Sequence, residues 1–259
     1  MEEVYFKGVT LLITHYNRSN SLERLLSVFK EGGFLFEDIV VSDDGSKVEH
    51  QQKLQEIQEK YQFRLITTPQ NRGLGNNLNK GQQAVITPLT LYVQEDFVPL
   101  PPFKEKLKDA LYFLEEQSDL DMVRFYAYFK YPFLKPFKNG FSEMVFSPWP
   151  WYWGYRKYYF YSDHPHLRRS NFLDKFGKYP EGIKGDATEY HMMFSVLQKK
   201  PKALYYNDFK GLFDQSNSAA EPSTMKRNYW REAGNPLVTA MRHLYRHIKF
   251  NFDYHFRKW

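Results

Sequence analysis

Two adjacent carboxylates, Glu95 and Asp96, come almost directly after the apolar run Leu89-Thr90-Leu91-Tyr92-Val93, separated from it only by Gln94. The β-branched and aromatic residues of this run predict a buried strand, so the two acids lie at its carboxyl end. Burial of an unpaired carboxylate is costly, and two in succession therefore indicate a metal ion, a cationic partner or contact with solvent. The alternative is an exposed corner between strand and loop, where acids only aid solubility.

Polar residues also end two earlier apolar runs. Thr14-His15-Tyr16-Asn17 ends the run that begins at Gly8, and Asp43-Asp44-Gly45-Ser46 follows the run 38–42. A turn of the type Asp-Asp-Gly-Ser can also be a solvated turn that caps the next helix. The coincidence of three polar clusters at three predicted strand ends carries more weight than any single cluster.

The segments between these clusters have the spacing of helices. A first helix is predicted around Leu22, Leu25, Leu26 and Phe29. Two more are predicted, one over residues 47–60 and one that opens at 71–75 and runs to about residue 85, with a strand at 63–66 between them. Strands that alternate with helices predict an α/β fold with a parallel sheet and right-handed crossovers. Ligands of such sheets bind at the carboxyl ends of the strands, where the three clusters fall.

The second half of the chain has weaker periodicity. Helices are predicted over residues 103–116 and about 187–199, and strands over 122–129 and 203–206. Residues 131–166 are rich in Pro, Trp and Tyr. Their rings could stack on sugars or bases, or could fill the core beneath a long irregular segment.

Composition excludes several classes of protein. The 259 residues contain no cysteine, so disulfides, thiol nucleophiles and cysteine-ligated metal sites are excluded. Of the net charge of +6, all comes from residues 225–259, which hold eight Lys or Arg and two acids. The body of the chain is therefore neutral, and nucleic-acid binding is not expected. Without a recognisable leader or a long apolar run, we expect a cytoplasmic protein with peripheral contact to the inner face of the membrane.

Taken together, these segments resemble the family 2 glycosyltransferases of GT-A fold. The resemblance rests on Thr14-His15-Tyr16-Asn17, Val40-Val41-Ser42-Asp43-Asp44-Gly45-Ser46, the stretch 71–79 (Asn-Arg-Gly-Leu-Gly-Asn-Asn-Leu-Asn) and Gln94-Glu95-Asp96. It covers residues 8–100 well and 170–218 loosely. It implies a Rossmann-type, mostly parallel sheet flanked by helices, and transfer of a sugar from a nucleotide-diphosphate sugar to a saccharide or lipid-linked acceptor. It also suggests a role in bacterial polysaccharide biosynthesis.

The resemblance implies a role for each cluster. The donor-binding residues would be Thr14, Tyr16, Asn17, Asp43, Asp44, Arg72, Asn76 and Glu95. Carboxylates can accept hydrogen bonds from base N–H groups or ribose hydroxyls, and glycines permit close approach of the backbone. Asp96 would bind Mn²⁺ or Mg²⁺, and Asp214 stands nearest to the place where the family often has a further metal-binding histidine.

An inverting transfer also needs a base for the proton of the acceptor hydroxyl. The family places two acids before a late helix, but this chain has Gly185-Asp186-Ala187-Thr188-Glu189, with Ala187 at the expected position of the second acid. Asp186 is the first candidate and Glu189 the second. The alternative is that Asp186 caps the helix and Glu189 lies in its first turn.

The C-terminal segment carries a separate pattern. Leu237, Met241, Leu244, Ile248 and Phe252 recur at helical spacing, beside the basic residues Arg242, Arg246 and Lys249. Such a helix could lie on an anionic membrane or could pack its apolar face onto the domain. We therefore divide the chain into a GT-A-like domain, 1–220, and a basic amphipathic helical extension, 221–259.

Two other functions remain open. A non-catalytic carbohydrate- or membrane-binding protein is compatible with Ala187 and with the altered acidic motif. A sugar-nucleotide pyrophosphorylase is disfavoured, because no glycine-rich loop follows the first strand, and the same absence argues against a dinucleotide-binding enzyme. The histidines His164, His166 and His191 have no paired spacing and are interpreted as structural or surface residues.

Overall fold

The computed structural model describes residues 2–146, 160–216, 221 and 236–259, with side chains of the last segment from residue 238 onward. The interpretation of the aromatic residues 147–159 lies outside this range. Asn217 and Ser218, most of the tail before residue 236 and the side chain of Leu237 also lie outside it.

The chain forms an α/β fold around one large mixed sheet. The described strands are β1 (Val4–His15), β2 (Phe34–Asp43), β3 (Arg64–Ile66), β4 (Leu89–Gln94), β5 (Phe97–Pro99), β6 (Met122–Arg124), β7 (Leu134–Pro136), β8 (Phe141–Met144), β9 (His166–Arg169), β10 (Ala203–Tyr206) and β11 (Phe213–Gln215). The sheet has the order β3-β2-β1-β4-β9-β6-β10-β8-β7, and β5 pairs with β11 in a small second sheet.

Helices pack against the sheet. They are α1 (Ser19–Glu31), α2 (Val48–Tyr61), α3 (Leu74–Gln83), α4 (Phe103–Glu116), α5 (Phe172–Phe176), α6 (Gly185–Lys199) and α7 (Pro236–Phe256). The predicted α/β class with a mostly parallel first half is confirmed, because β3, β2, β1 and β4 are all parallel. The switch to antiparallel pairing comes at β9, which lies between β4 and β6.

One predicted strand is too long. The alternation at 122–129 predicted a continuous strand, but β6 ends at Arg124. Beyond that point the backbone bonds to other loops: Phe125 donates to the carbonyl of Pro165 at 3.0 Å, and Ala127 donates to that of Phe209 at 3.1 Å. The buried apolar run thus continues beyond the last residue that pairs with a neighbouring strand.

Strand register brings the polar strand ends together. In the centre of the sheet, Thr14 on β1 pairs with Ser42 on β2 and with Gln94 on β4, and His15 pairs with Asp43. The parallel strands therefore stop at the same level, and the three loops that follow them open on one edge of the sheet.

The central strand β1 is buried on both faces. Leu11 and Ile13 pack into the layer that holds α1 and α4, while Leu12 packs into the layer that holds α3 and α6. A strand covered on both sides reads as a continuous apolar run, as the sequence 9–13 does.

Close contact between α3 and the sheet depends on a glycine. A Cβ atom on Gly81 would lie 2.8 Å from Leu12 Cδ1 and 2.9 Å from Ser42 Cβ. Helix α3 therefore lies closer to β1 and β2 than a side chain at this position would allow.

We expect Gly81→Ala to lower the free energy of unfolding relative to a matched Gly185→Ala variant by about 1–3 kcal/mol, the cost of overpacking. Gly185 is the first residue of α6, and a Cβ there would meet nothing closer than 3.6 Å. Urea unfolding of both variants measures the difference. Equal stabilities would contradict the tight approach of α3 to the sheet.

Candidate functional site

A buried hydrogen-bond network joins the loops after β1 and β2. His15 Nδ1 lies 2.8 Å from Asp43 Oδ1, and the backbone N–H of Arg18 donates to His15 Nε2 at 3.2 Å. Because Nε2 accepts, the proton resides on Nδ1, which donates to the carboxylate. Asn17 adds a second link: its N–H donates to Ser46 Oγ at 2.8 Å, and its side-chain oxygen accepts from the N–H of Lys47 at 2.8 Å.

Asp43 is held as a carboxylate inside this network. It accepts hydrogen bonds from the Ser46 hydroxyl at 2.5 Å, from the Ser46 N–H at 3.1 Å and from Thr67 Oγ1 at 3.0 Å. Burial opposes its ionisation, but the hydrogen bonds from His15 and Ser46 outweigh burial and lower the pKa of Asp43 to about 2. Its negative charge is therefore a fixed part of the site.

Asp44 holds the loop that leads into α3. Its two carboxylate oxygens accept the backbone N–H groups of Arg72 at 2.8 Å and of Gly73 at 2.9 Å. Burial raises the pKa of Asp44, against the effect of these two bonds. Gly45, the residue after Asp44, packs closely against this loop. It has a φ of +66°, and an added Cβ would lie 2.4 Å from the carbonyl carbon of Gln70, so this position requires glycine.

Glu181 connects the start of α3 with the loop before α6. Its carboxylate accepts from Asn76 Nδ2 at 2.7 Å and from Asn79 Nδ2 at 2.9 Å, and it lies 3.7 Å from the exposed Arg72 guanidinium. The side-chain oxygen of Asn76 is buried and has no hydrogen-bond partner among the described residues. Nothing in the spacing of the sequence indicated Glu181, because it acts on residues about 100 positions earlier.

The acidic turn after β4 surrounds an arginine. Arg18 Nη1 lies 3.3 Å from Glu95 Oε1 and 3.3 Å from Asp96 Oδ2, and all three side chains are buried. Burial raises the pKa of Glu95 to about 8, and the neighbouring Asp96 adds to this effect while Arg18 opposes it. The sequence left three alternatives for this acidic pair: a metal ion, a cationic partner or contact with solvent. In the structure a cationic side chain, that of Arg18, contacts both acids.

A second group positions Asp96. Gln215 Nε2 donates to Asp96 Oδ2 at 2.9 Å, and Tyr128 in turn donates to Gln215 Oε1 at 3.0 Å. Asp214, the predicted second metal ligand, is exposed on β11 and adjacent to Gln215, so the two side chains leave the strand on opposite faces. The residue that contacts Asp96 from this strand is thus Gln215, which sequence reasoning missed.

One oxygen of the turn can still take a cation. Asp96 Oδ1 is buried and has no hydrogen-bond partner in the part of the chain that the structure describes. Within that part, no three His, Asp or Glu side chains converge on one point. The residues therefore fit a single carboxylate contact to a hard divalent cation whose other ligands come from substrate and water.

The two candidate bases lie at the start of α6. The N-cap residue is Lys184, without a side-chain cap, so Asp186 lies within the first turn and the predicted capping role for it is wrong. Burial raises the pKa of Tyr128, and the charges of Asp96 and Glu189 raise it further. Glu189 and Asp96 therefore both lie near the Tyr128 hydroxyl.

The remaining predicted positions frame this region. Thr14 Oγ1 is buried against the Tyr92 hydroxyl at 2.9 Å, and Tyr16 is half-buried at the end of the same strand. His164 and His166 are buried, which agrees with a structural role. Burial lowers the pKa of His164 to about 3, and a nearby arginine, Arg124, lowers it further.

A match to a protein-family model identifies the family of this chain. The model for glycosyl transferase family 2 matches residues 10–177, about two thirds of the chain. The chain belongs to glycosyl transferase family 2. The match includes the loops after β1, β2 and β4, and so the resemblance of these loops is confirmed. A comparison with curated protein sequences gives no match.

Solved structures show the same fold. The structure of S. aureus TarS 1–349 in complex with UDP-GlcNAc aligns with a TM-score of 0.60 at 16% identity, over 95% of this chain and 73% of that one. The structure of TarS 1–349 without a named ligand has a TM-score of 0.58 at 20% identity, over 79% of this chain and 59% of that one. The Pyrobaculum calidifontis mannosyltransferase PcManGT, in complex with GDP-Man and Mn²⁺, has a TM-score of 0.57 at 14% identity, over 97% of this chain and 64% of that one. The predicted GT-A fold is confirmed, and this chain is shorter than each of these structures.

The pKa of Glu95 gives a test of the acidic turn. Below about pH 4.5 the side chain is protonated in the folded and unfolded states alike; above it the unfolded state releases the proton, while the folded state keeps it up to about pH 8. Stability from this group is therefore lost as the pH rises through that window.

We expect Glu95→Gln, which cannot ionise, to gain stability over the wild type between pH 5 and pH 8, by more than about 1 kcal/mol. Chemical unfolding at both pH values, with a chelator present, measures this gain. A difference from the wild type that is the same at both pH values would show that Glu95 is ionised in the folded protein.

Proposed function

We propose that this chain transfers a sugar from a nucleoside-diphosphate sugar to a hydroxyl group of an acceptor, with inversion at the anomeric carbon. The observation that carries the proposal is the acidic turn of Glu95 and Asp96, which meets the loops after β1 and β2 at one edge of a family 2 sheet. Support comes from the named ligands of the two similar structures, UDP-GlcNAc and GDP-Man with Mn²⁺.

The nucleoside would bind over the loops after β1, β2 and β3. Thr14, Tyr16, Asn17 and Asp43 lie along the first two loops, and Asp44 fixes the loop that carries Arg72. Asp43 uses its oxygens on protein donors, and so we assign it a role in shaping the pocket and in supplying its negative charge. Asn76, whose buried side-chain oxygen has no hydrogen-bond partner among the described residues, can accept a hydrogen bond from the donor sugar-nucleotide.

A divalent cation would be held by Asp96 Oδ1. When bound, Mn²⁺ or Mg²⁺ would stabilise the negative charge of the leaving nucleoside diphosphate. Arg18 keeps Glu95 and Asp96 together in the absence of the cation, and Gln215 holds the second Asp96 oxygen in place. Asp214, which is exposed on β11 beside Gln215, is the candidate for a second protein ligand of this cation.

The acceptor hydroxyl would lose its proton to a carboxylate at the start of α6. As the acceptor oxygen forms its bond to the anomeric carbon, the bond between that carbon and the diphosphate oxygen breaks and the electron pair leaves with the diphosphate. Between the two candidate bases, Glu189 and Asp186, we assign the role to Glu189, because its charge reaches the same tyrosine as that of Asp96. The acceptor is proposed to be a saccharide or a lipid-linked sugar of a bacterial polysaccharide.

Two features favour a second candidate, a non-catalytic protein that binds the donor or a carbohydrate. Ala187 stands where a second acid is expected, and Asp214 is exposed on β11 while its neighbour Gln215 contacts Asp96. Nucleotide binding would be shared by both functions, whereas turnover would separate them.

The first experiment is a thermal-shift panel with UDP, GDP, dTDP and CDP, each with and without Mn²⁺. We expect one nucleotide to raise the melting temperature, and to raise it more with Mn²⁺, because ligands that bind only the folded state stabilise it by mass action. Asp96→Asn should keep the metal-free shift and lose the additional effect of Mn²⁺. A panel without any shift would contradict the donor site.

A second experiment tests the base. We expect Glu189→Gln to lower the transfer rate by about 10²-fold or more and to leave the nucleotide-induced thermal shift intact. Asp186→Asn, one turn away on the same helix, is the matched control and should change the rate by only a few fold. The reverse order would make Asp186 the base, and donor binding without turnover in the wild type would favour the non-catalytic function.

A further inference from the structure

Helix α7 docks onto the domain through one face of its C-terminal half. Phe250 is buried, with its ring 5.0 Å from that of Phe194 on α6 and 6.0 Å from that of Phe160. The buried carboxylate of Asp253 accepts a hydrogen bond from the Tyr190 hydroxyl at 2.8 Å. Trp259 stacks on Phe194 with ring centroids 4.9 Å apart, which closes the contact.

The opposite face of α7 is a continuous apolar stripe. Its members are exposed to between 53% and 77%: Met241, Leu244, Tyr245, Ile248, Phe252 and Phe256. At 100° per residue these side chains fall within about one third of the helix circumference, centred opposite Phe250. The stripe therefore points away from the domain, and the interpretation in which the apolar face packs onto it is wrong.

The charges beside this stripe have one sign. Arg242 and Lys249 flank it on one side, and Arg246, Arg257 and Lys258 lie further round the helix or at its end. Asp253, the acid on α7, is buried and paired with Lys249 and Arg257. Residues 225–259 also hold the whole net charge of the chain, +6.

We propose that α7 lies flat on an anionic bilayer, with the stripe in the boundary between headgroups and acyl chains and the basic flank on the lipid phosphates. An exposed apolar stripe that includes tyrosine and phenylalanine, with Lys and Arg beside it, has the composition of an interfacial helix. Among the described residues, no helix is long and apolar enough to span a bilayer.

The alternative occupant, a second copy of the chain, fits the charges less well. Two α7 helices packed along their stripes would bring Arg242 and Lys249 of each chain toward the cationic flank of the other. An anionic surface instead complements the flank along its whole length.

The contact between α7 and α6 indicates on which side of the proposed active site the bilayer would lie. Tyr190, which binds Asp253 of α7, directly follows Glu189 on α6. The bilayer would thus lie on the side of the domain where α6 begins to contact α7, so an acceptor that is anchored in lipid would approach from that side. This last step rests on the proposed transfer, whereas the membrane contact itself does not.

The test is co-sedimentation of the full chain with vesicles of phosphatidylcholine alone and of phosphatidylcholine mixed with phosphatidylglycerol. We expect binding to the anionic vesicles only, and its loss at high salt. Ile248→Glu and Phe252→Glu should each lower the partition coefficient by about tenfold or more. Ile86→Glu, which replaces an isoleucine that is 80% exposed on a distant loop, is the matched control and should bind as the wild type does.

Three results would overturn the proposal: no binding to anionic vesicles, equal binding to neutral ones, or binding that the stripe variants leave unchanged. A concentration-dependent dimer in solution that Ile248→Glu abolishes would identify a second copy as the occupant instead. Since the stripe is exposed, these variants should keep the wild-type melting temperature and its response to nucleotide. Loss of vesicle binding is thereby distinguished from failure of the donor site.

Discussion

The site depends on one constraint, the register of β1 between β2 and β4. Residues 9–13 of β1 are buried on both faces, and a slip by one residue would turn Leu12 and Ile13 each toward the wrong layer. The same register places His15 beside Asp43 and the end of β1 beside the start of the acidic turn. Hydrophobic packing thus sets the geometry of charged groups that contribute little to the packing themselves.

Charge balance at this edge of the sheet is local. Three buried carboxyl groups, Asp43, Glu95 and Asp96, lie close to the ends of β2 and β4; His15 donates a hydrogen bond to Asp43, and the Arg18 guanidinium faces Glu95 and Asp96. A guanidinium suits this place because it can contact two carboxylates at once. The charge of Arg18 does not fully offset the burial of Glu95, and the pKa of Glu95 is therefore raised.

Local patterns in the sequence predicted most of the elements. The bounds of α4 and β10 were predicted to the residue, because amphipathic spacing and apolar runs reflect burial along short segments. β6 was predicted too long, since buried residues continue along the chain after the pairing with neighbouring strands has ended. The identity of the acidic turn was also accessible, because two acids at the end of a buried strand are rare without a reason.

The partners of those residues could not be predicted in the same way. Arg18, Glu181 and Gln215 act on residues that lie 77 to 119 positions away in the chain, and the spacing within a single sequence does not indicate such contacts. The predicted ligand Asp214 and the observed partner Gln215 differ by one position on a strand, which is enough to exchange the two faces. For α7, periodicity identified the apolar stripe, but only the docking of Phe250 and Trp259 shows on which side it lies.

The bond between Asp44 and the loop before α3 has a consequence for how this enzyme family member could be re-engineered. Asp44 binds the backbone of Arg72 and Gly73, while the Arg72 side chain is exposed. Every amino acid except proline supplies the same N–H group. Residue 72 can therefore change identity while the loop keeps its shape, so this position is a natural place to diversify in a library aimed at new donors, with Asp44 left constant.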